Sequence, residues 1–590
     1  MKRLVWWLLA AVLLAASCTD GRMVVVNGDE VIVTLKARKK YLIFPINDSS
    51  PQTQLNFKCG EEDIFGHAIE MYLATDSAQF YVPVDISDYR GKKIDIYVGK
   101  AQAEWFGVTA LRQSNEYEFD YDERYRQKFH MTPYYGWTND PNGLVYDGKQ
   151  YHLSYQSNPY GNLWGYMHWG HATSKDLVHW KDQGTILRPD SLGCIFSGCA
   201  VMDKENTTGK GENTMVAIYS IDGNGQRIGI AHSSDGGFTY TPYEGNPVIE
   251  EHRRDFRDPY VLQIEGKWVM AVTIGECLRF YESENLADWS FTGEFGRDKG
   301  SHDGWWECPA MFPVPALSEE DTVQKYVLLV SITPHGPNEG GAVQYFIGSW
   351  QNGSFVEDAL EYPLWLDYGR DNYAGVVYSN TGDRAIYMGW MSDWAYTSQT
   401  PSLWFRNGMT IPRELELRQE DGSYIVASVP SPEIYTVKSF EETKEDMTVE
   451  GAETLDILKN NNGAYVIRFT LGAIGEYGFR LKNNEGEMIE YRFSVEEGTG
   501  AAKVVMDRSR SSKVVFNEDF ASRLIVCPLV SKESYEVELF VDRQSAELFI
   551  DNGSRVMTNQ IFPTKFYDTI QFFTDSSMTV SDFSAAKMGD

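Results

Sequence analysis

The sequence predicts an all-β protein: a five-bladed β-propeller, then a C-terminal β-sandwich, with an additional small N-terminal β-domain. Three observations carry this. Fifty-one Gly with 35 Tyr and 16 Trp mark a chain of many turns and aromatic strands. Apolar and polar residues alternate in short runs, the period of strands rather than helices. A serine-led turn ending in an aromatic recurs five times between residues 174 and 394. At 590 residues the chain exceeds one ordinary core, so several domains are expected.

Residues 1–18 read as an export signal. Lys2 and Arg3 form its basic end, 5–14 the apolar stretch, and Ala15-Ala16-Ser17 the small residues before Cys18. A Cys directly after small residues resembles a bacterial lipoprotein cleavage site, which would leave Cys18 as a lipidated N-terminus. The alternative is an ordinary cleaved signal with an incidental Cys. No other apolar run approaches the ~20 residues of a membrane span. Residues 22–118 alternate, as in Val31-Ile32-Val33-Thr34-Leu35 and Lys93-Ile94-Asp95-Ile96-Tyr97-Val98, and predict the small β-domain. The acidic, aromatic stretch 115–126 reads as a linker.

The propeller is expected over 122–430. Serines 174, 233, 283, 349 and 392 open the recurring turns at spacings of 59, 50, 66 and 43 residues. Hairpin repeats of about 40–60 residues suggest blades, and five echoes suggest five of them. Over 436–590, strands such as Glu536-Val537-Glu538-Leu539-Phe540-Val541 and Ala546-Glu547-Leu548-Phe549-Ile550 follow one another without helices. Asp551-Asn552-Gly553 signals a hairpin after the second, and the pattern is that of a sandwich.

A formal charge of -31 argues against nucleic acid or an anionic lipid surface as partner, and fits a secreted protein with a neutral ligand. Aromatic residues suit sugars, although most such rings fill sheet cores. Six further Cys, at 59, 194, 199, 277, 308 and 527, show no Cys-x-x-Cys pair and no zinc spacing. No disulfide framework, metal site or cofactor is expected.

Trp137-Thr138-Asn139-Asp140-Pro141-Asn142-Gly143 sets a carboxylate behind an indole and fences it with Pro and Gly. Such a string suits neither a helix interior nor a central strand, so Asp140 is expected in a turn at the end of an element. Alone, it reads as a solvated turn. Arg257-Asp258-Pro259 and Trp306-Glu307-Cys308-Pro309 supply it with partners. Glycoside hydrolysis needs an acid and a nucleophile flanking the scissile bond. Hydrogen bonds in the amide-rich turn would favour charged Asp140, which suits the nucleophile. Glu307, beside two indoles and a thiol, is expected to be desolvated and so kept protonated as a general acid. Asp258, beside Arg257, is expected to stay ionised and to stabilise positive charge at the anomeric carbon. The bland alternatives are a structural Arg257–Asp258 ion pair and a lone buried Glu307.

In order, these three strings resemble the signature motifs of glycoside hydrolase family 32, the invertases, inulinases, levanases and other β-fructofuranosidases. The resemblance extends through Phe129-His130-Met131-Thr132-Pro133, Tyr155-Gln156, Trp164-Gly165 and Met167-His168-Trp169-Gly170-His171. Phe196-Ser197-Gly198, Asp367-Tyr368-Gly369, Gly389-Trp390-Met391, Ile411-Pro412-Arg413-Glu414-Leu415 and Phe540-Val541-Asp542-Arg543 follow in sequence. It covers roughly 125–590. The resemblance implies a propeller with the active site at the mouth of its funnel. It carries over Asp140 as nucleophile, Asp258 as transition-state stabiliser and Glu307 as acid/base. Asn139, Gln156, Trp164, Phe196, Ser197, Arg257 and Trp390 match positions lining the fructose pocket, while His168 and Trp169 read as structural. Gln127, Thr138 and Cys199 depart from the family pattern.

The expected activity is release of fructose, with retained configuration, from β-fructofuranosides such as inulin, levan or sucrose, acting at chain ends. The alternatives are endo action, fructosyl transfer, or a catalytically silent fructan-binding surface protein. An exported protein is expected, touching membrane only through Cys18.

Overall fold

A computed structural model describes residues 22–28, 30–317, 322–420, 422–457, 460–473, 475–496 and 498–589. The export signal and Cys18 lie outside the described residues. The N-terminal domain packs a six-stranded sheet and a three-stranded sheet around one core. Alternation decides which side chains enter it. Val31, Val33 and Leu35 of Glu30–Lys36 face in, and so do Ile94, Ile96 and Val98 of Lys93–Gly99. The stretch 115–126 is docked rather than free. Glu123 accepts the amides of Leu403 and Trp404 at 2.8 and 2.9 Å, and Phe119 packs among Tyr117, Tyr134 and Tyr135. Its many rings give it apolar area to bury, which a solvated linker lacks.

Five antiparallel sheets follow in chain order, with innermost strands Gly136–Tyr146, Gly193–Asp203, Arg257–Ile264, Trp305–Leu317 and Tyr373–Val377. Consecutive innermost strands touch, and the first touches the last, so the sheets close into a five-bladed propeller. Phe405–Arg406 returns to pair with Gly136–Trp137 of the first blade. Between blades the core is apolar and aromatic, with Phe256, Val272, Leu329 and Tyr387 buried.

Four of the five serine echoes mark equivalent places. Ser174, Ser233, Ser283 and Ser349 sit at or near the ends of the third strands of the first four blades. In the first, Asp176 Oδ1 takes the Ser174 hydroxyl and the amides of Val178 and His179, a side-chain-capped turn. The fifth echo is different. Ser392 follows the second strand of its blade, Ile386–Trp390, and that blade's third strand is Arg413–Glu420. The turn around buried Asp393 instead carries Trp394 to the funnel.

The C-terminal β-sandwich is tied together by its last strand, Thr569–Met588. Its first half pairs with Tyr477–Lys482 and its second half with Tyr465–Ala473, so one strand serves both layers. The Asp551-Asn552-Gly553 turn joins Ser545–Ile550 to Arg555–Gln560, with φ positive at all three residues. The sandwich docks on the propeller through buried charge. His130 lies between Asp542 (2.8 Å) and Glu547 (2.6 Å), and Arg413 bonds both Glu547 and Asp367. Gln127 Nε2 bonds Ser545 at 2.8 Å across the same junction. Among the described residues no helix is long and apolar enough to cross a membrane.

Candidate active site

Near its start, each innermost strand slips in register against its neighbour. The slips fall between Thr138 and Pro141, Ile195 and Gly198, Arg257 and Tyr260, Glu307 and Ala310, and Tyr373 and Val376. Such bulges re-aim side chains that a regular strand would send to alternate faces. Asp140, Ser197, Asp258 and Cys308 lie inside four of them. Asp258, Cys308 and Ala374 have φ of +60°, +45° and +54°, which costs energy for any residue with a Cβ. Pro259 and Pro309 lie within two of the bulges and Pro141 closes a third, the places in a sheet where proline is tolerated.

This corrects the expectation that Asp140 stands in a turn at the end of an element. Gly136–Tyr146 is one innermost strand. A second slip between Asn142 and Val145, with Gly143 at φ +53°, absorbs the rest of the Pro-Asn-Gly string.

The bulges gather three carboxyls around a cavity of about 300 Å³. Asp140 accepts the Ser197 hydroxyl at 2.6 Å and the Asn139 amide at 3.0 Å, and Asn139 is itself fixed by the Trp137 indole at 2.7 Å. Asp258 accepts the Cys308 amide at 3.0 Å, while its own amide donates to Ser220 at 2.7 Å. Arg257 joins the acids, 2.8 Å from Glu307 and 3.8 Å from Asp258, and is braced by Asp255 at 2.9 Å. The Tyr373 hydroxyl donates to the other oxygen of Glu307. The Cys308 thiol lies 3.4 Å from Asp140 and 3.6 Å from Asp258, between the two carboxyls.

Electrostatics follow from this crowding. Burial pushes Asp258 up to about 7, and the Glu307 and Asp140 charges add to it against the pull of Arg257. Burial also raises Asp140, partly offset by the Ser197, Asn139 and Cys308 donors. The Cys308 thiol is held well above its usual value by burial and by the three acids. An Asp258 kept ionised by Arg257 was the expectation from sequence. Burial opposes it, outweighing the pull of an Arg257 that stands 3.8 Å away and makes its closest contact with Glu307.

The surroundings of Glu307 differ from expectation too. Strand alternation turns Trp306 away, buried against Phe346 and His302, and Trp305 is 58% exposed on the rim. The neighbours of Glu307 are a guanidinium and a phenol, not two indoles. Asn139, Gln156, Trp164, Phe196, Ser197 and Arg257 all line the cavity. Trp390 does not. It is fully buried beneath, donating its indole N–H to the Thr138 carbonyl at 3.1 Å, and Trp394 packs on it at 4.8 Å and reaches the cavity instead. The Thr138 carbonyl also takes Asn407, and the Thr138 hydroxyl, the part specific to this side chain, reaches the Gln156 carbonyl at 3.2 Å. His168 and Trp169 serve the frame, bonding the carbonyls of Tyr166 (2.8 Å) and Phe196 (3.0 Å). Cys199 is buried in the hub with its sulfur 3.2 Å from the Val261 amide.

Sequence reasoning missed Trp394, Thr333, Tyr373 and Ser220 as site residues, and gave Cys308 no role. The Trp394 echo was the one available signal. Tyr373 and Ser220 carry none, since only the closed ring brings them in. Among the described residues no group of three His, Cys, Asp or Glu is placed to hold a metal ion. Two carboxyls with unlike partners beside a shaped cavity can perform a double displacement at an acetal carbon.

Comparison with known proteins agrees with this geometry. Family models match three parts of the chain: "Glycosyl hydrolases family 32 N-terminal domain" over residues 130–428, "Glycosyl hydrolases family 32 C terminal" over 433–587, and "Domain of unknown function (DUF4980)" over 27–130. A levanase of Bacillus subtilis (strain 168) is 39% identical over 462 residues, covering 75% of this chain and 67% of its own length. An extracellular exo-inulinase of Aspergillus awamori is 34% identical over 508 residues, 76% of this chain and 91% of that protein. The solved exo-inulinase from Aspergillus awamori superimposes with a TM-score of 0.73 at 29% identity, over 80% of this chain and 100% of that one. A fructofuranosidase from Schwanniomyces occidentalis solved with fructose gives 0.68 at 25% identity, over 80% and 100%.

Proposed function

The chain belongs to glycoside hydrolase family 32, and from that premise we propose that it is a retaining β-fructosidase releasing fructose from the ends of fructans. The observation that carries this reading is the bulge-mounted carboxyl set, with Asp140 held by Ser197 and Asn139 and Glu307 held by Arg257 and Tyr373. Asp140 attacks the anomeric carbon of the terminal β-fructofuranosyl unit. Glu307 gives its proton to the departing oxygen as the glycosidic bond breaks, leaving a fructosyl ester on Asp140. Water, deprotonated by Glu307, then attacks the same carbon from the opposite face, freeing fructose with retained configuration and restoring both acids.

Asp258 lies too deep to deliver a proton outward and is fixed by two backbone-linked hydrogen bonds. It holds sugar hydroxyls and answers positive charge as it develops on the ring. Three carboxyls around one guanidinium cannot all ionise cheaply, and burial, with the neighbouring acids adding to it, lifts Asp258 to about 7. Asn139, Gln156, Trp164, Phe196 and Arg257 bind and orient the fructosyl unit. The buried indoles of Trp137 and Trp390 close the cavity below, which favours a chain end over a passing chain, as do relatives named exo-inulinase.

The test is incubation with levan, inulin and sucrose, with products resolved by size over time. Fructose as the first and only small product supports the reading. Early intermediate oligomers mean endo action, lengthened oligomers mean transfer, and binding without reducing sugar means a silent fructan-binding protein. We further infer that the enzyme is exported and carries a lipid on Cys18. Metabolic labelling with a fatty acid that fails to mark the chain in a bacterial host would remove the anchor.

A further inference from the structure

The N-terminal β-domain does not sit apart from the site. Its core takes in two rings from the propeller, Tyr160 and Tyr166, and Cys194, Leu403 and Trp404 pack against it. Tyr160 and Tyr166 belong to the loop between Tyr151–Asn158 and His168–Ser174, and Trp164 stands two residues before Tyr166. Cys194 stands two residues before Phe196 and three before Ser197. The two propeller segments that rest on this domain are therefore the ones that present Trp164 and Phe196 to the cavity.

The contact has one distinct focus. The His67 ring, between strands Glu62–Asp63 and Ile69–Met71, stacks on Tyr166 with centroids 4.9 Å apart and planes 22° from parallel. Both nitrogens of His67 are buried, with the Phe65 backbone the polar group they approach, so the ring meets Tyr166 as a flat surface. Tyr166 needs such a clamp, because its φ of +24° is unfavourable for a residue with a Cβ and must be held by its surroundings. Its ring also meets His168 in an edge-on arrangement at 5.1 Å, and the His168 ring bonds the Tyr166 carbonyl at 2.8 Å. Beyond it, Trp164 is 48% exposed and meets Phe196 edge-on at 5.9 Å. A half-exposed indole on a loop, with one ring contact at the mouth, depends on its loop for position.

We propose that the N-terminal β-domain is a positioning domain for the mouth of the pocket. Through the His67–Tyr166 stack and its packing on Cys194, it holds Trp164 and Phe196 in the arrangement that grips the sugar unit next to the departing oxygen. This rests on the β-fructosidase reading of the pocket. It makes His67 and Tyr166 positioning residues, remote from the reacting atoms, and gives the domain a part in substrate grip rather than in spacing the enzyme from a surface.

The experiment uses the full chain carrying His67→Ala or His67→Phe. Amide hydrogen exchange is read over 159–167 and 192–197, and KM and kcat are read on sucrose and on a levan oligosaccharide. Loss of one aromatic stack is worth a factor of about three to ten. With H67A, exchange in both segments is expected to quicken and KM on both substrates to rise by about that factor, with kcat within about twofold. H67F keeps a ring of similar shape and is expected to restore both to wild-type values. Unchanged exchange in H67A overturns the proposal whatever the substrate proves to be. Quickened exchange with an unchanged KM overturns it as well, and so does an H67F as impaired as H67A. A wild-type chain that releases no fructose sinks the reading of the pocket, while the exchange measurement still decides whether the domain holds the mouth.

Discussion

Arg257 holds Glu307 at 2.8 Å while standing 3.8 Å from Asp258, so one guanidinium balances two of the three acids of the pocket. With Asp140 as the third, the set carries more negative charge than its one cation can answer.

A pH limit on the rate follows. Burial, with the neighbouring carboxylates adding to it, holds Asp258 at about 7, so this carboxyl is protonated below that value and ionised above it. Answering positive charge on the ring needs the ionised form. The value of kcat/KM is expected to rise about tenfold per unit below pH 7 and to level off above it. A pH–rate profile for fructose release measures this, and a flat profile from about pH 5 to 8 contradicts it.

The same shift predicts a stabilising substitution. The folded chain holds Asp258 near 7 against an ordinary 3.8, so the folded state binds the extra proton between those values. The contribution of this group to stability is full below about 4 and lost as pH rises through 7. Asp258→Asn removes that cost. It is expected to raise stability by about 2–4 kcal/mol at pH 8 relative to its effect at pH 4. Denaturant unfolding at the two pH values checks it, and an equal effect at both rejects it.

The junction of propeller and sandwich also loses stability as pH rises, over a higher window. Burial disfavours charged His130, but Asp542 and Glu547 overcome it and lift the imidazole to about 9 from an ordinary 6.5. Its stabilisation is full below 6.5 and lost as pH rises through 9. His130→Gln is expected to cost about 3 kcal/mol at pH 6 and far less at pH 10. Thermal or denaturant unfolding across that range shows the difference, and a cost that stays constant with pH would exclude a charged His130.

What the sequence revealed, and what it concealed, has physical reasons. The three acids were readable because Asp140 and Asp258 stand directly before a proline and Glu307 stands two residues before one, and the fold places those prolines at bulges. The bulges themselves were not readable, so Asp140 looked like a turn residue when it belongs to a strand. The sequence sets Glu307 beside Trp305 and Trp306, but neighbours along a strand point to opposite faces, so alternation separates them in space. Five blades were counted correctly although the Ser392 echo marks no third strand. Asp542 and Glu547 were visible as family-like residues of the sandwich, but their partner His130 lies more than four hundred residues away and only the docked domains reveal it. The placement of the N-terminal domain against Tyr166 left no mark in either segment, because a ring stack needs only two aromatic rings.

The central claim, that Asp140 is the nucleophile and the pocket releases fructose, meets its most direct test in Asp140→Asn. The amide keeps the size of the side chain and its contacts with Ser197 and Asn139 in reach, so folding can be checked by an unchanged unfolding transition. Release of fructose from levan or inulin is then expected to fall by at least about a thousandfold. A folded Asp140→Asn chain that releases fructose at the wild-type rate contradicts the assignment.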